Sequence, residues 1–363
     1  MEKQRVGIVG LGKISGIYLQ NLTGLFGSRV RLTAVTDLIR ERGEAVQAEY
    51  HIPFIPDAET LIRSPDVDIV LNITQPQHHY GVAKKAIEAG KHVYNEKPLC
   101  VTREEAADLL GLAAARKVRV GGAPDTFLGA GIQTCRKLID DGWIGRPIAA
   151  TAFMMNHGHE HWHPDPEFYY KTGGGPLFDM GPYYLTALVN LLGPIVRVSG
   201  SAKQGFKQRT VTSEPQRGKV ITVDVPTHIA ATLDFTSGAV GTLITSFDVY
   251  SHTLPFIEIY GSEGTLRAPD PNTFGGPVLV SRFREEAWSQ IPLLGDYAEN
   301  SRGLGITDMA AAITEGRLHR ASGELTNHVL EVMHGIHDAS RSGVYYPVKS
   351  TCSRPEVLGK EGL

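Results

Sequence analysis

A glycine-rich turn lies between a short apolar run and a helix-forming segment at the start of the chain. Residues 6–9 are Val-Gly-Ile-Val, and residues 10–15 follow as Gly-Leu-Gly-Lys-Ile-Ser, which is the spacing G-x-G-x-x-S. In a βαβ unit the first glycine, Gly10, allows the tight turn after the strand, and the second, Gly12, lets a pyrophosphate approach the backbone. Such a motif alone is weak, but its place between a predicted strand and a predicted helix at 14–25 indicates a dinucleotide site.

Residues 1–122 alternate strand-like and helix-like segments, which is the pattern of a parallel sheet. Further strands are predicted at 30–36, 66–73, 91–94 and 118–121. Helices are predicted at 40–50, 79–89 and 102–116, the last beginning with a capping box of Thr102 and Glu105. Because parallel strands need right-handed crossovers, the alternation predicts an α/β domain with a doubly wound parallel sheet, the Rossmann fold.

Extended segments outnumber helical ones after residue 122. Strands are predicted at 148–155, 196–202, 229–235, 240–247, 257–260 and 265–266, and helices that cover one face near 128–141, 179–192 and 326–342. Residues 268–305 are rich in Pro and Gly and are predicted to be loop. Residues 123–363 are therefore predicted to form a second domain, an α+β domain with a mostly antiparallel sheet.

The composition is that of a soluble globular protein with a sizeable core: of 363 residues, 42% are hydrophobic and 21% are charged. The formal net charge of -3 gives no field that would favour nucleic acid or an anionic membrane. Cys100, Cys135 and Cys352 have no metal or redox spacing, which suits a reducing compartment. The first residues lack a signal-peptide layout, and no apolar run approaches the roughly 20 residues that span a bilayer. We therefore expect a cytoplasmic protein.

Asp37 ends the second predicted strand, where an acidic side chain can accept hydrogen bonds from the adenosine ribose. A carboxylate there repels a 2′-phosphate, which favours NAD over NADP. The alternative is that Asp37 only caps the following helix. Arg40 and Arg42 lie nearby and leave NADP possible.

Four further segments carry a resemblance to a known family. They are Thr74-Gln75-Pro76-Gln77-His78-His79, Glu88-Ala89-Gly90-Lys91-His92-Val93, Glu96-Lys97-Pro98-Leu99 and Gly173-Gly174-Gly175-Pro176-Leu177-Phe178-Asp179-Met180-Gly181. Together with the glycine turn, they make the chain resemble the Gfo/Idh/MocA oxidoreductases over nearly its whole length. The resemblance implies a Rossmann domain, a C-terminal α/β domain with a large open sheet, oxidation or reduction of sugars, cyclitols or related alcohols, and homo-oligomers (dimers or tetramers) formed through that sheet.

The glycine turn and the resemblance together imply a set of cofactor-binding residues. These are Gly10, Gly12, Lys13, Ile14, Asp37, Thr74, Gln75, His79, Glu96 and Lys97. The expected cofactor is NAD, with NADP as the alternative.

Lys97 follows a predicted strand, at the sheet edge where doubly wound folds form their ligand crevice. Oxidising a secondary alcohol with a nicotinamide requires removal of the hydroxyl proton while hydride leaves the same carbon. A lysine can hydrogen-bond the oxygen and stabilise its developing negative charge. Lys97 is therefore predicted to be catalytic; the alternative is a surface lysine at a strand end.

The partner of Lys97 is expected within residues 173–184. Many members of the family that the chain resembles carry a histidine four residues after the motif's aspartate, Asp179, where this chain has Tyr183. A phenol is a poor base at neutral pH, but an adjacent ammonium and the positive nicotinamide would both favour phenolate. On a helix Asp179 and Tyr183 share a face, so Asp179 is expected to orient Lys97 or bind substrate. The alternative acid/base is Tyr184 or a nearby histidine.

Residues 157–163 alternate histidines with other residues, so in an extended segment all four would point to one side. The leading interpretation is a polar, aromatic substrate wall that includes His157, His161 and Trp162. A metal site or a surface or subunit loop are the alternatives, and no metal is expected. Asp125 is a further candidate for sugar hydroxyls, or a helix-cap residue.

The sequence thus predicts an NAD-dependent oxidoreductase that acts on a secondary hydroxyl of a sugar, sugar derivative or cyclitol. One alternative is an enzyme that keeps NAD bound and cleaves glycosides by transient oxidation. Another is a non-catalytic regulator that binds NAD(P), against which the presence of Lys97 and Tyr183 argues.

Overall fold

The computed structural model describes residues 3–285 and 287–359. Two compact units are formed, and both are discontinuous in sequence. Unit 1 comprises Met1–Gly129, Gly295–Leu330 and Pro355–Leu363, and unit 2 comprises Ala130–Leu294 and Glu331–Arg354. The predicted functional domains, 1–122 and 123–363, stay a prediction.

Helices occupy the segments between the first strands and much of the chain after residue 300. The α-helices are α1 (Ser15–Thr23), α2 (Arg40–Tyr50), α3 (Ala58–Arg63), α4 (Pro76–Glu88), α5 (Arg103–Arg116), α6 (Ala130–Asp140), α7 (Pro176–Leu192), α8 (Leu304–Glu315) and α9 (Gly323–Ser342). Two short 3₁₀ helices lie at Thr126–Leu128 and Glu167–Tyr170. No helix in the described part of the chain is long and apolar enough to cross a membrane.

The sheet of unit 1 is parallel throughout. Its strands are β1 (Gln4–Val9), β2 (Val30–Thr36), β3 (Ile69–Asn72), β4 (His92–Asn95) and β5 (Val120–Gly122), in the order β2-β1-β3-β4-β5. All four residues of β3 are buried, as expected for a strand covered by helices on both faces. The predicted doubly wound parallel sheet is confirmed, and the carboxyl ends of β1 to β4 lie at one edge.

The large sheet belongs to unit 2. It contains β6 (Pro147–Met155), β7 (Ile195–Lys203), β10 (His228–Phe235), β11 (Val240–Ser246), β12 (Ile257–Gly261), β13 (Gly264–Ala268), β14 (Val278–Arg282), β15 (Ser289–Ile291) and β16 (Tyr346–Pro347). Their order is β15-β14-β13-β12-β6-β11-β10-β7-β16, and every pair is antiparallel except β6 with β11. A separate hairpin pairs β8 (Gln208–Thr210) with β9 (Val220–Thr222). The predicted mostly antiparallel sheet is confirmed.

The alternation of β10 shows how this sheet is covered. Ile229, Ala231, Leu233 and Phe235 are buried, whereas the residues between them are only partly buried. Helix α7 packs against β6, β10 and β11, so it covers the face to which these apolar side chains point.

Some local predictions are confirmed, and others are wrong. The capping box of α5 is present, with Thr102 accepting from the Glu105 amide and Glu105 accepting from the Thr102 amide. The prediction of loop over 268–305 is wrong at 278–282 and 289–291, where β14 and β15 form as short strands. Helix α8 was not predicted because most of it is buried and it lacks an amphipathic period.

Candidate functional site

The glycine turn has the geometry of a phosphate cradle. Gly10 has φ +97°, and a Cβ there would lie 3.0 Å from the backbone of Ile73 and Thr74, at the end of β3. A Cβ on Gly12 would meet nothing within 4 Å. The turn therefore needs glycine where β1 approaches β3 and leaves open space beside Gly12, at the beginning of α1. A pyrophosphate fits such a position because the positive end of the helix dipole favours negative charge there.

Asp37 connects this turn to the end of β2. Its Oδ2 accepts a 2.6 Å hydrogen bond from the Leu11 amide, and its Oδ1 accepts one of 2.8 Å from the Ile39 amide. The guanidinium of Arg42 lies 3.8 Å from Oδ1. The N-cap residue of α2 is Ile39, so Asp37 does not cap that helix in the usual way. Its predicted contact with the ribose stays a prediction.

The loop after β3 is tied to the segment after β4. The buried ring of His79 lies 2.7 Å from the Pro98 carbonyl oxygen through Nδ1 and 2.9 Å from the Thr74 carbonyl oxygen through Nε2. Burial lowers the pKa of His79. Thr74 Oγ1 also donates to Asn72 Oδ1 over 2.7 Å, whereas Gln75 is exposed. The loop that is predicted to bind cofactor is therefore held by a buried imidazole.

Glu96 holds the backbone of the predicted catalytic lysine. One carboxylate oxygen accepts a 2.9 Å hydrogen bond from the Lys97 amide, and the other accepts one of 2.7 Å from the hydroxyl of Tyr18 on α1. Glu96 is buried, whereas Lys97 is half-buried. Asn95 donates from its side-chain amide to the Leu99 carbonyl over 2.8 Å. These bonds fix the chain direction around Lys97 at the carboxyl end of β4.

Asp125 contacts the beginning of α8 within unit 1. It is only 1% exposed, and its Oδ2 accepts from the amides of Gly303 and Gly305 over 2.9 and 3.0 Å. Burial raises its pKa to about 6. These are the contacts of a helix-capping carboxylate, although the helix is α8 rather than the one that follows Asp125. A contact with substrate stays a prediction.

Helix α7 carries the other predicted catalytic residues. Asp179 lies in its first turn, and Tyr183 follows one turn later and is 8% exposed. Asp179 Oδ2 lies 3.2 Å from the Nε2 of His159. The neighbouring Tyr184 is more deeply buried, and that burial raises the pKa of its phenol.

The four histidines of residues 157–163 do not line one side, so the expectation based on an extended segment is wrong. The chain turns there, with the Trp162 and His163 amides donating to the His159 carbonyl over 3.3 and 3.0 Å. His157 stacks on Tyr250 with ring centroids 3.6 Å apart. His161 is exposed. Among the described residues, no group of three or more His, Cys, Asp or Glu side chains is arranged to hold a metal ion.

A buried network of charged side chains stabilises this turn. Arg209 pairs with Glu160 at 3.3 Å and with Asp248. Glu160 also accepts a 2.6 Å hydrogen bond from the hydroxyl of Tyr170, and its backbone carbonyl accepts the Ser213 amide. The backbone that carries the neighbouring His159 is therefore anchored on both sides.

His159 is a functional candidate that sequence reasoning missed. Its only signal was the alternation of histidines, which did not distinguish it from its neighbours. No spacing rule relates it to Asp179, which lies on another element, so the pairing could not be read from the sequence.

Comparison with known families gives the identity of the chain at the family level. Residues 4–122 match the profile described as an oxidoreductase family with an NAD-binding Rossmann fold, and residues 132–267 match the GFO/IDH/MocA C-terminal domain. The chain belongs to the Gfo/Idh/MocA family. The first match contains the glycine turn, Asp37 and Lys97, and the second contains His159 and the start of α7.

Curated relatives and solved structures agree with this assignment. The chain is 25% identical to the D-xylose dehydrogenase of Paenarthrobacter nicotinovorans over 286 residues, which cover 73% of each chain. It is 26% identical to the scyllo-inositol 2-dehydrogenase (NAD(+)) of Bacillus subtilis strain 168 over 336 residues, covering 86% of this chain and 92% of that one. The fold is similar to that of an NAD binding oxidoreductase from Klebsiella pneumoniae, with a TM-score of 0.84 at 23% identity, covering 96% of this chain and 100% of that one.

This family member is therefore an NAD-binding oxidoreductase, and its residues fit the cofactor. The open space beside Gly12 suits the pyrophosphate, and the carboxylate of Asp37 at the end of β2 is bound to the same turn.

Proposed function

We propose that this oxidoreductase transfers hydride between NAD and the carbon that bears a secondary hydroxyl of a sugar, sugar derivative or cyclitol. The observation that supports the proposal most strongly is the fixed position of Lys97 at the sheet edge that also carries the glycine turn. The names of the relatives, a xylose dehydrogenase and an inositol dehydrogenase, support the substrate class.

In the proposed reaction the substrate loses a C–H bond and an O–H bond and gains a second C–O bond. NAD, when bound, would supply the acceptor for the carbon's hydrogen, which leaves as hydride with both bonding electrons. The Lys97 ammonium donates a hydrogen bond to the substrate oxygen and stabilises its negative charge as the proton leaves. Tyr183, as phenolate, accepts that proton. Asp179 binds the substrate or orients the lysine.

The proposed substrate contacts differ in how available their side chains are. His161 is exposed, and Trp162 is 46% exposed, so both can form a polar, aromatic wall. His157 is stacked on Tyr250, and Asp125 is bound to the amides at the beginning of α8. We therefore assign the main contacts to His161 and Trp162 and a supporting place to the other two.

The test is turnover of defined probes by the purified protein. NAD is added with scyllo-inositol, myo-inositol, D-xylose or D-glucose, and nicotinamide absorbance is followed together with product mass. We expect NAD to be reduced. At least one probe should give a product that is two hydrogen atoms lighter than that probe. Cleavage of a methyl glycoside without net reduction of NAD would instead show the glycoside-cleaving activity. Binding of NAD without conversion of any probe would argue for a regulator.

We further propose that the protein is a cytoplasmic homo-oligomer, a dimer or tetramer formed through the large sheet. The face of β6 opposite α7 carries Phe153 and Met155, which are only partly buried. The buried thiols of Cys100 and Cys135 form no disulfide, which supports a reducing compartment. Light scattering of the wild-type protein and of Phe153→Glu tests the interface, and we expect the variant to have the lower mass.

A further inference from the structure

The imidazole of His159 faces the carboxylate of Asp179 across 3.2 Å. We infer that His159 is a positioning residue, which acts through Asp179 by holding its carboxylate in one orientation. This inference rests on the proposed function, because that function gives Asp179 its contact with the substrate or the lysine.

The pair is shielded from solvent. The side chains of His159 and Asp179 are 9% and 14% exposed, so little water competes for the hydrogen bond. A carboxylate near the beginning of a helix can rotate among several backbone and solvent donors. A fixed N–H donor on one of its oxygens removes that freedom.

The ring of His159 is itself held in place. Its centroid lies 4.0 Å from that of Tyr169, 4.7 Å from that of Phe247 and 5.4 Å from that of Trp162. Its backbone amide donates to the Tyr170 hydroxyl over 3.4 Å. Aromatic packing on several sides leaves the imidazole few rotamers, so the donor arrives at Asp179 already oriented.

The position of Nε2 also determines which side chain can replace His159 as the hydrogen-bond donor. A glutamine amide can place an N–H donor close to the position of the histidine Nε2, although it lacks the ring. A phenylalanine keeps a flat ring against Tyr169 and Phe247 but has no donor. His159→Gln and His159→Phe therefore separate the hydrogen bond from the packing.

The experiment measures kcat and KM for NAD reduction with the best probe in the wild type, His159→Gln, His159→Phe, Asp179→Asn and the double variant His159→Phe/Asp179→Asn. We expect His159→Phe to lower kcat by about 10-fold to 100-fold, since misplacement of a reacting group by about 1 Å has effects of that size. KM should change by less than about threefold, and His159→Gln should recover most of the lost kcat. In the Asp179→Asn background, His159→Phe should have almost no further effect.

Three results would overturn the inference: a wild-type kcat in His159→Phe, equal losses in the Gln and Phe variants, or losses that multiply in the double variant. If the wild type converts no probe, the proposed function fails, and the pairing is decided by unfolding of the same variants in denaturant. Coupled effects of the two substitutions on stability would then support the pair, and additive effects would reject it.

Discussion

The hydroxyl of Tyr18 donates a 2.7 Å hydrogen bond to the Glu96 carboxylate inside unit 1. Burial and the nearby Glu96 charge hold the pKa of Tyr18 well above its ordinary value, so the phenol remains a donor. The other oxygen of Glu96 accepts from the Lys97 amide. One carboxylate therefore links the helix that begins at the phosphate cradle to the lysine proposed to act in catalysis.

Replacing Tyr18 by Phe should destabilise the protein, because a buried carboxylate oxygen loses its donor. We expect a loss of about 1 to 3 kcal/mol in the free energy of unfolding, measured by denaturant titration. The matched control is Tyr80→Phe, whose hydroxyl bonds Asp108 at the surface and should contribute much less. Equal losses of unfolding free energy in the two variants would show that the buried hydrogen bond contributes no more to stability than the one at the surface.

The carboxylate of Asp37 should set the preference for NAD over NADP. Asp37→Ala should narrow the difference between the two dissociation constants, because the repulsion of a 2′-phosphate is relieved. Asp37→Asn is the matched control, since it removes the charge but keeps an acceptor for the Leu11 amide. Titration of both nucleotides against the three proteins measures the effect. Tighter binding of NADP than of NAD by the wild type would refute the assignment.

Loss of the Lys97 ammonium should abolish hydride transfer while nucleotide binding largely survives. Lys97→Met keeps roughly the length of the side chain and removes its charge. The control is Lys85→Met, which removes an exposed lysine on α4 at 3.9 Å from Glu59. Single-turnover reduction of NAD and nucleotide titration are measured on both. Normal transfer by Lys97→Met would exclude the lysine from the reaction.

Tyr183→Phe should lower kcat by at least about a hundredfold with a modest change in affinity, the usual weight of a positioned acid/base group. Oxidation by the wild type should rise with pH as the proton acceptor ionises, and this ascending limb should vanish in the variant. Tyr184→Phe is the matched control at the next position. Pre-steady-state measurement is needed because slow product release can hide the chemical step. An unchanged rate and pH profile in Tyr183→Phe would pass the role to Tyr184 or to a histidine.

Asp125 should contribute more to the stability of the folded protein at low pH than at neutral pH. Burial raises its pKa to about 6, above the ordinary value near 4, so between these values the folded protein holds a proton that the unfolded chain releases. Its stabilising effect is present below about pH 4 and is lost as the pH rises through about 6. The stability of the wild type relative to Asp125→Asn should therefore fall by about 2 to 3 kcal/mol across that window.

A carboxyl with the opposite shift serves as the control for this measurement. The pKa of Asp108 is lowered by its hydrogen bond with Lys84, so the stability of the wild type relative to Asp108→Asn should rise with pH. Denaturant unfolding at a series of pH values gives both differences. A relative stability of Asp125→Asn that does not vary with pH would contradict the raised pKa.

The parts of the fold that could be predicted are those in which local chemistry and tertiary structure agree. Strand β2 and helix α2 have the predicted bounds: β2 is a run rich in β-branched residues, and α2 is a mostly polar helix in which Gly43 and Val46 are buried. The glycine turn was recognised because Gly10 is required by a close backbone approach. Helix α8 and the short strands after residue 268 escaped prediction because burial and strand pairing outweigh their local propensities.

The candidate site likewise contains residues that the sequence predicts and contacts that only the structure shows. Lys97, Asp179 and Tyr183 were predicted because a family motif marks them, whereas the structure adds the hydrogen bonds made by the Lys97 amide and by the Asp179 carboxylate. The hydrogen bonds between Tyr18 and Glu96 and between His159 and Asp179 join side chains on different elements. Such pairs depend on tertiary packing, and one sequence without an alignment carries no signal for them.

The discontinuity of unit 1 has a consequence for how the protein is made. Asp125 accepts from the amide of Gly303, which lies 178 positions further along the chain. When the ribosome has delivered the first 129 residues, the helix that completes their core has yet to be synthesised. The nucleotide-binding half must therefore wait, incomplete, while all of residues 130–294 emerge. A newly made chain therefore exposes this unfinished core to aggregation and to proteases for that interval.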